Sequence, residues 1–139
     1  MKTLQWNADA ARNAQRWVDA CPSGHGNTKK IPGVATCSQN MAWTSGSSVD
    51  WAKAIGMWYN EVENFNYCAP PKAGKEVGHF MNMMWADTSV IGCAAKNCGK
   101  WTICVCNYCN SRGGPASKRY CPWKKRHYLT DNSSLKNLH

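Results

Sequence analysis

The chain has 139 residues, including nine Cys and eight Trp, and a formal net charge of +9. This length allows one domain with a real hydrophobic core and leaves little room for a second. No run of eighteen or more apolar residues occurs, which excludes a membrane-spanning helix, and residues 1–6 lack the apolar segment of a secretion signal.

The positive charge is concentrated at the C-terminal end. Residues 112–139 contain seven Lys or Arg and one acid, Asp131, whereas the residues before them contain ten Lys or Arg and seven acids. Hydrophobic periodicity is also lost after Gly113-Gly114-Pro115. We therefore expect a domain over residues 1–111 and a basic, extended tail over residues 112–139. Such a tail either contacts an anionic lipid, glycan or nucleic acid or is simply solvated, and the second is the commoner case.

The first predicted element is an amphipathic helix over residues 6–21. Asn7 is a suitable N-cap, and Asp9 falls in the first turn, where the helix dipole favours a negative charge. One side of the helix carries apolar residues at helical spacing, namely Trp6, Ala10, Ala14, Trp17 and Cys21. The Pro-Ser-Gly sequence at residues 22–24 then ends it.

A second helix is predicted after a loop over residues 22–47, which is rich in Gly, Pro and Ser. Ser47 or Ser48 is expected to cap this helix, which runs to about Asn64. Its predicted buried side contains Trp51, Ile55, Trp58, Tyr59 and Val62. Glu61 would lie near the C-terminal end, where the helix dipole disfavours a carboxylate, so we expect a cation or a metal to compensate its charge.

The rest of the domain is predicted to form a short helix followed by two strands. Residues 76–85 carry apolar residues at helical spacing, namely Val77, Phe80, Met81 and Met84. Residues 90–95 and 101–109 are predicted to be strands joined by a hairpin-length turn. Alternation along the second strand places Cys104, Cys106 and Tyr108 on one face and Ile103, Val105 and Asn107 on the other.

The nine cysteines favour an oxidising compartment, where disulfides stabilise domains too small to build a large core. The alternative is a reduced zinc protein with ligands drawn from Cys93, Cys98, Cys104, Cys106 and Cys109. Only one C-x-x-C pair occurs in that cluster, Cys106 with Cys109, so the disulfide interpretation is preferred. The odd number leaves at least one thiol free or paired with another molecule.

Several motifs in the second half of the domain resemble the paired signature of the CAP superfamily. This superfamily contains the cysteine-rich secretory proteins, the insect venom antigens and the plant pathogenesis-related proteins. The motifs are Gly78-His79-Phe80, Trp85, Thr88, Gly92-Cys93 and Val105-Cys106-Asn107-Tyr108. Residues 6–14 and the W-x-x-x-C-x-x-x-H run at residues 17–25 are most similar to the vertebrate cysteine-rich secretory proteins. The resemblance covers roughly residues 4–110.

The resemblance implies an α+β fold of the α-β-α sandwich type, with a small antiparallel sheet between helices and disulfides that stabilise it. It also implies a shallow cleft with two His and two acids, in which the two His can bind Zn²⁺. His25 and His79 fall on the histidine positions, and Glu61 falls on one acid position. The other acid is replaced by Gln39, which cannot act as a base at neutral pH. We therefore expect zinc binding to be weak and acid–base catalysis to be slight.

The resemblance also assigns the disulfides. It pairs Cys21 with Cys98, Cys37 with Cys109, and Cys93 with Cys106. Three cysteines are then extra; Cys68–Cys104 is an extrapolated pair, and Cys121 is left free or intermolecular.

The ends of the chain depart from the family pattern. The family's first helix has no counterpart before residue 4, and the cysteine-rich C-terminal module of the vertebrate subgroup is missing. Both observations predict a fragment or a product with unusual ends. Within the tail, Asn132-Ser133-Ser134 is a weak N-glycosylation acceptor pattern, and Lys124-Lys125-Arg126 is most simply a solvated basic cluster.

The function implied by the resemblance is that of a secreted, non-enzymatic effector of the venom, reproductive or defence type. Its expected partner is an extracellular receptor, an ion channel or a sterol. A first alternative is a zinc-dependent hydrolase with Zn²⁺ on His25 and His79 and with Glu61 as the base, although Gln39 argues against it. A second alternative is an intracellular zinc or nucleic-acid module. No nucleic-acid partner is expected, because the basic residues lie in the tail and do not alternate with aromatic residues on a sheet.

Overall fold

The computed structural model describes residues 3–28, 31–67 and 69–111. Its helices are α1 (Ala8–Asp19), α2 (Trp51–Tyr59) and α3 (Gly78–Met83), with a 3₁₀ helix (Asn60–Asn64) directly after α2. Its strands are β1 (Gln5–Trp6), β2 (Val34–Ser45), β3 (Val90–Asn97) and β4 (Trp101–Ser111). Within these residues the strands form a sheet in the order β1-β3-β4-β2, in which β1 is parallel to β3 and the other neighbours are antiparallel.

The sheet lies between helices on both faces, which confirms the predicted α-β-α sandwich. On one face, Ala14 and Val18 of α1 form a core with sheet residues Met41, Ala94, Ile103 and Val105. On the other face, Ala54 and Trp58 of α2 form a core with sheet residues Ala42, Cys104, Cys106 and Tyr108. The predicted alternation of side chains along β4 is therefore confirmed. None of the helices in the described part of the chain is long and apolar enough to cross a bilayer.

Strand β2 corrects the prediction of a loop over residues 22–47. The residues from Gln39 to Ala42 are all buried, because the strand is covered by helices on both faces. Two of these four buried residues, Gln39 and Asn40, are polar, and their hydrogen bonds are satisfied inside the protein. A buried polar strand has neither an apolar run nor a simple alternation, so the sequence pattern did not reveal it.

The second helix is shorter than predicted. It begins after Asp50, whose side chain accepts a hydrogen bond from the backbone N–H of Lys53 at 2.9 Å, so Ser47 and Ser48 are not its caps. The α-helix also ends at Tyr59, and the remaining residues up to the predicted end at Asn64 form the 3₁₀ helix. Among the residues predicted to be buried, Trp58 is 1% exposed, whereas Ile55 and Tyr59 are 43% and 50% exposed. The buried side of α2 is therefore narrower than its composition suggests.

The other two helices are also shorter than the sequence pattern predicts. Helix α1 begins after Asn7, whose side chain accepts a hydrogen bond from the backbone N–H of Ala10 at 2.8 Å, which confirms the predicted cap. Trp6 lies before this cap, in β1. Helix α3 covers Gly78–Met83 of the predicted residues 76–85.

Three disulfides join the pairs that the family resemblance implies. Cys21–Cys98 ties the end of α1 to the turn between β3 and β4. Cys37–Cys109 and Cys93–Cys106 each join directly opposite residues of neighbouring strands. Strands β2 and β3 are therefore each joined to β4 by a disulfide as well as by backbone hydrogen bonds.

The extrapolated pair Cys68–Cys104 is wrong, because Cys104 has a free thiol. Its side chain is fully buried in the core beneath α2, where it packs with Ala54 and Trp58. Cys68 and Cys121 lie outside the described residues. The predictions for the tail, residues 112–139, and for the acceptor Asn132 also fall outside them.

We expect the Cys104 thiol to be unreactive in the native protein. Burial raises the pKa of this thiol, and the Asp50 carboxylate raises it further, so the reactive thiolate is scarce near neutral pH. Iodoacetamide should alkylate Cys104 only after the protein is denatured without reductant, as measured by peptide mass spectrometry. Equal labelling of Cys104 before and after denaturation would contradict this burial.

Candidate functional site

His25 is held by a short loop that packs on α1. The indole N–H of Trp17 donates to the backbone carbonyl of Gly24 at 2.8 Å. The Trp17 ring also lies against Gly26, where a Cβ atom would be only 2.8 Å from the ring carbons. The loop therefore needs glycine at this position, and Trp17 fixes the backbone on both sides of His25.

Gln39 of β2 orients the His25 ring. The backbone N–H of Gly26 donates to Gln39 Oε1 at 2.8 Å, and His25 Nδ1 lies 3.1 Å from the same oxygen. Gln39 Nε2 donates to Asn107 Oδ1 at 2.9 Å, and Asn107 in turn donates to the carbonyl of Ala10 at 3.0 Å. Because backbone groups fix both amides, the atom that faces His25 is an acceptor. His25 Nδ1 therefore carries a hydrogen, and its Nε2 has the free lone pair in the neutral ring.

Glu61 holds His79 in the same manner. Glu61 Oε1 lies 2.6 Å from His79 Nδ1, and Oε2 accepts from the backbone N–H groups of His79 at 2.8 Å and Phe80 at 3.1 Å. His79 Nδ1 is therefore a donor, which leaves Nε2 as the acceptor atom of the neutral ring. The ring also stacks beside Trp58, with centroids 6.5 Å apart.

These contacts correct the expectation that a cation or metal compensates Glu61. The residue lies in the 3₁₀ helix and not at the end of a long α-helix. Its carboxylate receives the first backbone N–H groups of α3, where unpaired donors and the helix dipole favour a negative charge. The N-terminus of α3 and the His79 ring thus stabilise this charge.

The sequence pattern did not identify Asn40 as a residue that positions the backbone of His79. It is fully buried, its Nδ2 donates to the carbonyl of His79 at 3.0 Å, and its Oδ1 accepts from Asn82 at 2.9 Å. Asn40 also forms a hydrogen bond with the hydroxyl of Tyr108. Burial raises the pKa of this hydroxyl to about 12, although the hydrogen bond with Asn40 acts in the opposite direction. Its place in the Cys-Ser-Gln-Asn segment, next to Gln39, was the signal available in the sequence.

The structure places His25 beside Gln39 and His79 beside Glu61. Gln39 and Asn40 are successive residues of β2, so their side chains point to opposite faces of the sheet. His25 contacts Gln39 on the side of α1, and His79 contacts Asn40 and Glu61 on the side of α2 and α3. Both imidazoles therefore flank the edge strand of the sheet, and each has its Nδ1 committed to a hydrogen bond.

The donor set fits a zinc ion poorly. Protein zinc sites supply three or four ligands. Among the described residues, no group of three or more His, Cys, Asp and Glu is arranged to hold a metal. The two Nε2 atoms are available as ligands or hydrogen-bond acceptors, whereas both oxygens of Glu61 are occupied and Gln39 is a neutral amide. The described side chains therefore offer two imidazole nitrogens, which are fewer ligands than protein zinc sites use.

The role of Trp17 in positioning the loop around His25 can be tested with the variant Trp17→Phe. This variant keeps a ring against Gly26 but removes the hydrogen bond to Gly24, so we expect it to lower the free energy of unfolding by about 1 kcal/mol. Amide hydrogen exchange of residues 22–28 should become faster. Trp58→Phe is the matched control, because it removes the indole bond to the Met41 carbonyl in the other core. If both variants increase the rate of amide exchange in residues 22–28 equally, Trp17 has no specific role in holding this loop.

Comparisons with known proteins identify a family for the chain. The profile of the cysteine-rich secretory protein family (CAP) matches residues 1–108. Human cysteine-rich secretory protein 3 is 32% identical over 130 residues, which are 90% of this chain and 52% of that protein. The chain thus spans about half the length of this relative.

Solved structures share the fold. Venom allergen-like protein 4 of Schistosoma mansoni has a TM-score of 0.69 at 24% identity, over 80% of this chain and 70% of that one. The structure of NaASP2 with Zn²⁺ has a TM-score of 0.63 at 24% identity, over 78% of this chain and 60% of that one. Taken with the profile match, these likenesses show that the chain belongs to the cysteine-rich secretory protein (CAP) family.

Proposed function

We propose that this chain is a secreted, non-enzymatic binding protein that acts on an extracellular receptor, an ion channel or a sterol. Membership of the cysteine-rich secretory protein family supports secretion, and the three disulfides are the kind that persist in an oxidising compartment. The two histidines are then recognition groups, each presenting one Nε2 atom to a partner.

The main support for this proposal comes from the hydrogen bonds of Glu61 and Gln39, the residues at the two acid positions of the family. A general base needs a free lone pair of suitable basicity within reach of the substrate. Both oxygens of Glu61 already accept hydrogen bonds from His79 and Phe80, and its side chain is only 14% exposed. Gln39 is an amide with a fixed orientation. These contacts support the proposal that neither residue serves as a general base.

Calorimetric titration with Zn²⁺ separates this proposal from the alternative of a zinc-dependent hydrolase on His25, His79 and Glu61. We expect the affinity of the native protein to exceed that of a His25→Ala, His79→Ala double variant by no more than about tenfold, or 1.4 kcal/mol. Near-UV circular dichroism provides the check that the double variant keeps its packing. A loss of about a hundredfold or more in the folded double variant would favour the hydrolase instead.

A further inference from the structure

Strand β2 lies at one edge of the sheet. Among the described strands it pairs with β4 alone, so one row of its backbone N–H and C=O groups points away from the sheet. This row belongs to alternate residues, because hydrogen-bonded and non-hydrogen-bonded pairs alternate along antiparallel strands. The Met41 carbonyl accepts from the Trp58 indole at 3.0 Å and therefore points outward. The same alternation directs outward the backbone groups of Trp43 and Ser45, which form the open edge of β2.

The contacts of β4 agree with this direction. Trp101 lies opposite Ser45, and its carbonyl accepts from the backbone N–H of Cys98 at 2.7 Å, on the side of β3. Trp101 and Ser45 therefore form a non-hydrogen-bonded pair, which leaves the Ser45 backbone groups directed away from β4. In the part of the chain that the structure describes, no other backbone group hydrogen-bonds to the open edge.

The open edge lacks the features by which proteins usually keep a strand edge from pairing. Those features are charged side chains, Pro, a bulge or a covering segment. In β2 the irregular register lies between Val34 and Cys37, and the Thr28 hydroxyl covers the Cys37 carbonyl at 3.0 Å. Both features thus protect the other end of the strand. Residues 37–49 contain no charged residue and no Pro. The open edge can therefore pair with another extended strand.

Two exposed indoles lie beside the open edge on one face of the sheet. Trp43 is opposite Ile103, and Trp101 is two residues before Ile103 on β4, so both indoles share the face of Ile103. Trp43 is 38% exposed and Trp101 is 50% exposed. Since a whole aromatic side chain buries about 150–250 Å², these indoles from two copies offer roughly 350 Å² of apolar surface. An area of this size fits a weak, reversible contact.

We propose that two copies of this chain pair antiparallel along their open edges, about a two-fold axis near Trp43. A two-fold axis brings the same surface of each copy together, and an antiparallel pairing of identical edges is self-complementary. The Trp43 residues of the two copies then exchange backbone hydrogen bonds, and the uncharged edges do not repel each other. The sheet continues from one copy to the other, with Trp43 and Trp101 of both copies on one face. This inference does not depend on the proposed function.

Sedimentation velocity of the full-length protein tests this inference, over concentrations of about 5 to 500 µM that suit a weak interface. The average mass of the native protein should rise with concentration toward that of a dimer. Ser45→Pro should stay monomeric, because it removes an outward N–H and leaves the hydrogen bonds to β4 intact. Trp43→Lys should also stay monomeric, because two lysines would then lie opposite each other across the axis.

Trp6→Lys is the matched control, because Trp6 is 64% exposed on β1, at the opposite edge of the sheet. It should dimerise as the native protein does, and circular dichroism shows whether each variant is folded. The proposal is overturned if the native protein is a monomer at every concentration, or if folded Ser45→Pro and Trp43→Lys proteins dimerise like it. A dimer that resists dilution and persists on a non-reducing SDS gel would also overturn it, because a disulfide would then join the copies.

Discussion

Replacement of Gly92 by Ala is expected to lower the free energy of unfolding by about 3 kcal/mol or more, because it overpacks the contact between α1 and β3. A Cβ atom at Gly92 would lie 2.2 Å from the backbone nitrogen of Ala11 and 2.5 Å from the carbonyl carbon of Ala10. Backbone atoms cannot rotate away, so α1 would have to move off the sheet. The measurement is chemical denaturation of the oxidised protein, followed by circular dichroism.

Gly56→Ala provides the matched control for this prediction. Gly56 lies within α2, and no atom stands within 4 Å of the place where its Cβ would be. Alanine has the higher helix propensity, so this variant should gain up to about 1 kcal/mol. Two variants with the same chemical change should thus shift stability in opposite directions. A Gly92→Ala protein as stable as the native one would show that α1 does not pack at this distance.

The second large effect is expected at Glu61. Glu61→Ala removes the acceptor of three hydrogen bonds, to His79 Nδ1 and to the N–H groups of His79 and Phe80, and should cost about 3 kcal/mol. Glu63→Ala is the control, because Glu63 is an exposed acid in the same 3₁₀ helix and should cost little. Denaturation curves of the two variants give the comparison directly.

Glu61→Gln should change the chemistry of His79 with a smaller loss of stability. The amide oxygen would accept from the two backbone N–H groups, so the amide NH₂ would face His79 Nδ1. His79 must then accept at Nδ1 and carry its hydrogen on Nε2, the reverse of the native arrangement. Nitrogen-15 NMR of the imidazole distinguishes the two tautomers. An unchanged tautomer in this variant would show that Glu61 does not set the orientation of the ring.

The sequence predicted those features that depend on local spacing. The helix cap at Asn7 and the alternation along β4 follow from short-range rules, and the structure confirms both. The likeness around Gly78-His79-Phe80 indicated the fold and the three disulfides, which the structure also shows. These predictions succeeded because each motif retains its order and spacing along the chain.

The features that failed depend on contacts between residues distant in sequence. Strand β2 was taken for a loop because its buried amides, Gln39 and Asn40, are satisfied by Asn107 and by the backbone of His79, which no local pattern reveals. The sequence suggested a cation or a metal beside Glu61, because no local pattern shows that the N-terminus of α3 lies against its carboxylate. The pairing of Cys104 failed for the same reason, since its burial beneath α2 is a tertiary property.

We propose that the surface around His25 and His79 binds a partner and does not catalyse hydrolysis. The most direct test is the rate of hydrolysis of ester and peptide substrates by the full-length protein, measured with saturating Zn²⁺ and compared with the His25→Ala, His79→Ala variant. For both proteins we expect rates equal to those of buffer with Zn²⁺. A zinc-dependent rate that is present in the native protein and lost in the folded double variant would contradict it.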